Sequence, residues 1–129
     1  MSQTKFAVAA VGNSLVDVLS QTSEEFIQKQ NELHGMEKGA MTLIEEQRAV
    51  DLYSQMKDTT ETSGGSAANT MAGFASFGGK GAFIGKVASD ALGKTFINDI
   101  RAQGLTFETT PLALGAPTGR CMILITPDA

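Results

Sequence analysis

The chain has 129 residues, which is enough for one domain with its own hydrophobic core. Hydrophobic residues make up 42% and charged residues 19%, an ordinary composition for a globular protein. The net charge of -4 argues against nucleic acid as the main partner, because phosphate backbones call for a basic surface. No apolar run approaches the roughly 20 residues that a membrane-spanning helix needs, which argues against a membrane partner.

Strand-like and helix-like patterns alternate along the chain, each bounded by glycine, proline or a capping residue. The first half of the chain predicts a strand over 5–11, a helix from a cap at Thr22 or Ser23 to about residue 30, a loop over 36–44 that enters a strand or a helix, and a helix over 45–56. The middle predicts a β-prone segment over 59–63 and a helix over 66–77 capped by Ser66. The remainder predicts a strand over 82–87, a helix over 90–103, and β-prone stretches near 106–114 and 120–126. This alternation predicts an α/β fold with a largely parallel sheet.

A glycine pair precedes the third predicted helix, in the sequence Ser63-Gly64-Gly65-Ser66-Ala67-Ala68-Asn69. Glycines let a backbone approach a ligand closely because no Cβ intervenes. The start of a helix offers unpaired N–H groups and a partial positive charge. Asn69, in the first turn, adds both a donor and an acceptor. The segment therefore predicts a pocket for hydroxyls or anions.

Polar residues also follow the first predicted strand, where Gly12-Asn13 and Asp17 lie. Ligands of open α/β sheets bind at the carboxyl ends of strands. Asp17 could accept hydrogen bonds from two neighbouring hydroxyls, and Pro117-Thr118-Gly119-Arg120 opens the last strand as a third candidate feature. The alternative is structural: a turn aspartate, a glycine pair with left-handed backbone and a capping asparagine.

The segment Ala88-Ser89-Asp90-Ala91-Leu92-Gly93-Lys94-Thr95 imitates a phosphate-binding P-loop, because it ends in Gly-Lys-Thr between a strand and a helix. Its first residue is alanine, and Asp90 would place a negative charge where phosphates bind. We therefore favour a different interpretation, in which Ser89 or Asp90 caps a helix and Lys94 is a solvated surface residue.

The remaining chemistry-bearing residues are one cysteine and one histidine. Cys121 lies in an apolar β-prone segment and is expected to pack in the core, and a single cysteine favours a cytoplasmic location. His34 has no second histidine or nearby cysteine, so no metal site is predicted.

The glycine motif and its neighbours resemble the N-terminal part of the ribokinase-like carbohydrate and nucleoside kinases, the PfkB family. The family's first signature is matched by Gly64-Gly65 with Asn69, followed by Gly78, Gly79 and Gly85. Further similarity lies in Gly12-Asn13-Ser14-Leu15-Val16-Asp17, in the Gly-x-x-x-x-Asp-x-x-Gly stretch from Gly85 to Gly93, and in Pro117-Thr118-Gly119. The resemblance thus spans nearly the whole chain.

The resemblance implies a three-layer α/β/α fold with a mostly parallel sheet and a small β lid, of which residues 1–129 form the N-terminal, substrate-side part. Lid segments are expected near 18–43 and 106–126. The resemblance assigns substrate binding to residues that match the family's site: Asp17, Gly64, Gly65, Asn69 and Asn13. It also implies ATP and Mg²⁺ as cofactors, allows a monovalent cation, and allows a homodimer through the lid.

The family's second signature, Asp-Thr-x-Gly-Ala-Gly-Asp, is absent from the sequence. In the family its last aspartate is the catalytic base, so no catalytic residue is assigned here, and the residues that bind ATP stay unknown. The chain ends after an apolar strand at Pro127-Asp128-Ala129, which a truncation explains at least as well as a natural end. We expect a fragment that holds the substrate side and lacks the chemical machinery.

The expected substrate is a primary hydroxyl of a nucleoside or a sugar. Gly-Asn-x-Leu-x-Asp near the start, Pro-Thr-Gly in the lid strand, and the long insertion between Asp17 and the glycine pair look more like adenosine kinase-type members. A sugar kinase acting on ribose, fructose or a keto-deoxy sugar acid is an alternative. Two further alternatives are a non-catalytic α/β module that binds a metabolite and a P-loop nucleotide hydrolase.

Overall fold

The computed structural model describes residues 5–129, and its first four residues lie outside the description. The strands in the described part are β1 (Val8–Val11), β2 (Leu15–Gln21), β3 (Thr60–Gly64), β4 (Gly81–Ile84) and β5 (Gly119–Ile125). The helices are α1 (Glu24–His34), α2 (Glu46–Gln55), α3 (Ser66–Ser76) and α4 (Ala91–Ala102). Strands and helices are interspersed along the chain in the order β1-β2-α1-α2-β3-α3-β4-α4-β5, and β1 pairs in parallel with β4, which confirms the α/β class.

The strands of residues 5–129 form two sheets. β1 and β4 are parallel, with Val8 opposite Gly81 and Val11 opposite Ile84. The other sheet has three strands in the order β3-β2-β5. Because β1 and β4 are parallel, the residues that follow them leave the sheet at the same edge.

The chain divides into two compact units. The first extends to Val18 and resumes over Glu61–Cys121, and the second comprises Leu19–Thr60 and Met122–Ala129. The lid segments predicted near 18–43 and 106–126 are thus distributed over both units, with residues 106–121 in the first.

Three phenylalanines form the core of the first unit. Phe83 of β4, Phe96 of α4 and Phe107 have ring centroids 5.5 to 6.1 Å apart. Each side chain is at most 1% exposed. Aromatic pairs at this spacing stabilise a core beyond the apolar area that they bury. The cluster therefore holds α4 against β4.

Two sequence predictions about local structure were wrong, the strand near 106–114 and the cap of α3. Residues 106–114 form only isolated bridges at Thr106 and Leu112, because Pro111 has no N–H to donate to a ladder. Helix α3 has Gly65 as its N-cap, with no side-chain cap, where Ser66 had been expected. The loop over 36–44, by contrast, leads into a helix, which was one of the two expected alternatives: Glu45 is the N-cap of α2 and Glu46 its first residue.

The other two predicted N-caps, those of α1 and α4, are confirmed. Ser23 accepts a hydrogen bond from the Phe26 N–H at 3.2 Å, and α1 runs past residue 30 to a left-handed Gly35. The Asp90 side chain accepts from the Gly93 N–H at 2.7 Å.

Asp90 also fixes the segment that leads into β5. Its carboxylate accepts from the Thr118 N–H at 2.9 Å and from the Thr118 hydroxyl at 2.7 Å. Thr118 is 3% exposed, and its hydroxyl oxygen accepts from the Ala88 N–H. Burial raises the pKa of Asp90, but the hydrogen bonds from Thr118 and Gly93 outweigh it, so the pKa lies below its usual value.

No helix within residues 5–129 has both the length and the apolar character to cross a bilayer.

Replacing Asp90 by alanine should lower the free energy of unfolding by about 2 kcal/mol, because a helix cap and two bonds to a buried threonine are lost together. Urea denaturation measures the change. The matched control is Lys94→Ala on the exposed face of the same helix, which should change stability by less than about 0.5 kcal/mol. Equal losses in the two variants would contradict the role given to Asp90.

Candidate substrate site

Asp17 lies within β2, where the sequence had placed it at the end of the first strand. Val16, Val18 and Ser20 are buried, whereas Leu15, Asp17 and Leu19 alternate with them on the partly exposed face. This period of two is typical of a strand with one covered face. The sequence assigned no strand here, because a charged residue and a serine interrupt the apolar run.

Gly64, the last residue of β3, lies directly against the Asp17 side chain. A Cβ added at Gly64 would come within 2.5 Å of all three atoms of the Asp17 carboxyl group. No side chain larger than hydrogen is therefore accommodated at this position without displacing Asp17. The structure brings these two predicted site residues into contact.

Gly65 makes the equivalent approach to Asn13. Its φ of +98° is a conformation that side-chain-bearing residues rarely adopt, and a Cβ there would lie 2.7 Å from the Asn13 carbonyl oxygen. The Gly65 carbonyl accepts from the Asn69 N–H at 2.8 Å, in the first turn of α3. The side chains of Asn13 and Asn69 belong to exposed residues. The five residues predicted for substrate binding thus form one connected cluster in the first unit.

The strand that carries the glycine pair is anchored by a second aspartate. Asp99 of α4 accepts from the Ser63 N–H at 2.7 Å and from the Thr62 hydroxyl at 3.1 Å. Burial raises the pKa of Asp99, but the hydrogen bonds from Ser63, Thr62 and Gln103 outweigh it and lower the pKa. Asp99 therefore remains ionised and fixes the residue immediately before Gly64. Sequence reasoning missed this contact, because nothing in the spacing links residue 63 to residue 99.

The pKa of Asp17 is shifted in the opposite direction to that of Asp99. Burial raises its pKa above the usual value of an aspartate, and within residues 5–129 no hydrogen bond to its carboxylate offsets that effect. A half-buried carboxylate without donors is costly in its charged form. Hydroxyl donors from a ligand would remove that cost, so Asp17 is suited to bind a diol or a single alcohol.

Cys121 lies close enough to Asp17 for the carboxylate to act on its thiol. Burial, followed by the negative charge of Asp17, raises the pKa of Cys121. A raised pKa disfavours the thiolate, which is the nucleophilic form. The structure thus supports a packing role in β5 over a catalytic one, although Cys121 is only partly buried.

The third predicted feature, Pro117-Thr118-Gly119-Arg120, joins the site only indirectly. Thr118 donates its N–H and its hydroxyl to the Asp90 carboxylate. A Cβ on Gly119 would lie 2.6 Å from the Leu15 side chain, so the glycine allows β5 to begin close to the start of β2.

Residues 88–95, whose sequence resembles a P-loop, do not form a phosphate-binding loop. The Gly93 N–H, which would face a phosphate, is occupied by the Asp90 carboxylate. Lys94 is exposed, as expected for a solvated residue. The interpretation of this segment as a capped helix start is confirmed.

Metal-ligand side chains do not cluster in the described part of the chain: no group of three or more His, Cys, Asp or Glu residues there could hold an ion. His34 lies in the last turn of α1 and is exposed.

The sequence profile of the pfkB family carbohydrate kinases matches residues 38–129. The chain therefore belongs to this family. No curated protein sequence gave a significant match.

Solved structures extend the similarity over nearly the whole chain. An adenosine kinase from Sinorhizobium meliloti is 48% identical, with a TM-score of 0.82 over 97% of this chain. A probable sugar kinase protein from Rhizobium etli CFN 42 is 46% identical, with a TM-score of 0.83 over 98% of this chain. An adenosine kinase from Schistosoma mansoni, solved in complex with adenosine, shares the fold at 22% identity, with a TM-score of 0.78 over 96% of this chain.

The chain spans only 36–37% of the length of these three relatives. It corresponds to a little over one third of such a protein.

Replacing Gly64 by alanine should destabilise the chain by about 1–3 kcal/mol, because the new methyl group must displace the Asp17 carboxylate or shift β3. Thermal unfolding measures the change. The matched control is Gly73→Ala inside α3, where a Cβ meets no atom within 4 Å and should raise stability by up to about 1 kcal/mol. A Gly64→Ala variant as stable as the parent would contradict the close approach.

Proposed function

We propose that the chain is the substrate-binding part of a kinase that transfers a phosphoryl group to a primary hydroxyl of a nucleoside or sugar. The observation that carries this proposal is the half-buried Asp17 carboxylate, which lies against Gly64 and accepts no hydrogen bond from the described part of the chain. Membership of a carbohydrate kinase family supports it. Asp17 would accept hydrogen bonds from substrate hydroxyls, and the backbone of Gly64 and Gly65 would permit close approach.

Adenosine is the favoured substrate. The 48% identity to the Sinorhizobium meliloti adenosine kinase supports this choice. A sugar kinase is the second candidate, because the Rhizobium etli protein, described as a probable sugar kinase, is 46% identical. The two possibilities share the same contact, since ribose and free sugars both offer neighbouring hydroxyls to a carboxylate. A non-catalytic metabolite-binding module remains as the third alternative, and a turnover assay on a longer chain separates it from the kinases.

We assign no residue of this chain to ATP or Mg²⁺. The described residues include no group of three or more His, Cys, Asp or Glu side chains that could hold a metal ion, and the family's second signature is absent from the sequence. We therefore derive no catalytic step from this chain and propose that ATP, Mg²⁺ and any monovalent cation are bound by a longer protein. By the same reasoning, the lid, a homodimer formed through it, and a cytoplasmic location are proposed for that longer protein.

A phosphoryl-transfer assay with the 129-residue chain, ATP, Mg²⁺ and adenosine, ribose or fructose should give no turnover, because the general base expected from the family is missing. The positive control is the same assay with the Sinorhizobium meliloti adenosine kinase. Clear activity of the 129-residue chain would contradict the proposal that it lacks the catalytic machinery.

Asp17→Asn should weaken adenosine binding at least about tenfold, because hydrogen bonds to an ionised acceptor contribute roughly 1.5–3 kcal/mol each. Titration calorimetry measures the affinity, with Asp51→Asn on the exposed face of α2 as the control for lost charge. Affinity of the parent should also fall as the pH drops through the raised pKa of Asp17, since the ionised form is the better acceptor. An unchanged affinity in Asp17→Asn would remove the support for this site, and tighter binding of ribose or fructose would favour the sugar kinase.

A further inference from the structure

Residues 36–44 form an exposed loop between α1 and α2. All of residues 37–44 are exposed, the apolar ones included. One turn closes inside the loop, where the Ala40 N–H donates to the Glu37 carbonyl at 3.3 Å and Gly39 has a left-handed φ of +76°. Because the loop buries so little apolar surface, hydrophobic packing contributes little to holding it against the second compact unit. Its position therefore depends on polar contacts.

Lys38 supplies such contacts to two other segments at once. Its ammonium donates to the Glu24 carboxylate at 2.6 Å and to the two carboxylate oxygens of Asp128 at 2.7 and 2.8 Å. Glu24 is the first residue of α1, and Asp128 lies in the turn after β5. All three residues belong to the second compact unit. The lysine thus joins the loop to a helix start and to a turn that lies 90 positions away in the chain.

The Asp128 carboxylate is held in place by a contact of its own. It accepts a hydrogen bond from the Thr126 hydroxyl at 2.8 Å, and Thr126 is only 4% exposed. Most exposed ion pairs contribute little, because two long side chains must be ordered to form them. Here the shorter side chain is already anchored to a buried residue, so less order is lost when Lys38 binds it.

The charges of this cluster depend on one another. Hydrogen bonding to Lys38 lowers the pKa of Asp128, and hydrogen bonding to Asp128, followed by that to Glu24, raises the pKa of Lys38. Lys38 and Asp128 therefore both stay charged around neutral pH. Without the ammonium between them, the two carboxylates would face each other as like charges.

Dissolved ions can reach all three side chains. Those of Lys38, Glu24 and Asp128 are 44%, 56% and 66% exposed. Interactions between exposed charges weaken as the ionic strength rises, whereas buried hydrophobic contacts do not depend on such screening. The attachment of the loop is therefore the salt-sensitive part of this unit.

We infer that Lys38, Glu24 and Asp128 form an ionic clasp that keeps loop 36–44 ordered and releases it when the ionic strength rises. The inference goes beyond the proposed function and does not rest on it, because none of the three residues belongs to the substrate cluster. The loop overlaps the segment 18–43 in which part of the lid is expected, so the clasp would make the order of that segment depend on salt. The sequence carried no signal for it, since the partners lie 14 and 90 positions from Lys38.

Nitrogen-15 relaxation of the 129-residue chain tests the clasp, because order parameters of the loop amides report its mobility directly. In the parent at about 0.05 M NaCl they should lie near about 0.85, and in Lys38→Gln they should fall below about 0.6. Raising NaCl to about 1 M should lower them in the parent and leave Lys38→Gln unchanged. Lys38→Arg, which keeps the charge, should retain most of the order. Lys29→Gln is the matched control, because Lys29 is an exposed lysine of α1 outside the clasp.

Asp128→Asn provides a second variant at the other end of the clasp, and it should lower the order parameters less than Lys38→Gln because Glu24 still binds the lysine. Unchanged loop order in Lys38→Gln, an equal fall in Lys29→Gln, or a parent loop that is mobile at low salt or indifferent to salt would overturn the clasp. All spectra are recorded without nucleoside, so these outcomes are independent of whether adenosine binds at Asp17.

Discussion

The contact between the last residue of β3 and the Asp17 carboxylate is the constraint on which the site depends. Gly64 leaves no space for a side chain, and Gly65 adopts a left-handed backbone in order to pass the Asn13 carbonyl. These two requirements fix where β3 ends and where α3 begins. They also explain why α3 has no side-chain cap: its N-cap position is occupied by the residue that must make the close approach.

Asp90, the N-cap of α4, and Asp99, within α4, support this arrangement. Asp99 fixes Ser63 before the glycine pair, and Asp90 fixes Thr118 before β5. Both have lowered pKa values because hydrogen bonds outweigh burial, so both contribute stability that is lost as the pH falls through those values. Asp17 has a raised pKa and contributes the reverse: its charged form is disfavoured until a ligand supplies donors. The Asp90 and Asp99 carboxylates, which accept hydrogen bonds, thus help to position the Asp17 carboxylate, which accepts none among the described residues.

The sequence predicted the α/β class, the two capped helices and the grouping of Asp17 with the glycine pair, because glycine, capping residues and apolar spacing act locally. Prediction from the sequence failed for features that are determined by tertiary contacts. The strand through Asp17 was missed, since burial on alternate residues emerges only once one face is covered. The hydrogen bond between Asp99 and the Ser63 N–H depends on a contact between distant parts of the sequence, for which the spacing carries no signal. Whether the five predicted residues bind substrate stays a prediction.

Among the described residues Asp17 accepts no hydrogen bond, so its own ionisation reports most directly on whether a ligand supplies hydroxyl donors. Carbon-13 NMR of the labelled aspartate carboxyl groups can follow the titration of Asp17 with and without saturating adenosine, with Asp17→Asn to assign the signal. Bound hydroxyls favour the ionised form, so we expect adenosine to lower the raised pKa of Asp17. An unchanged or higher pKa in the presence of bound adenosine would contradict it.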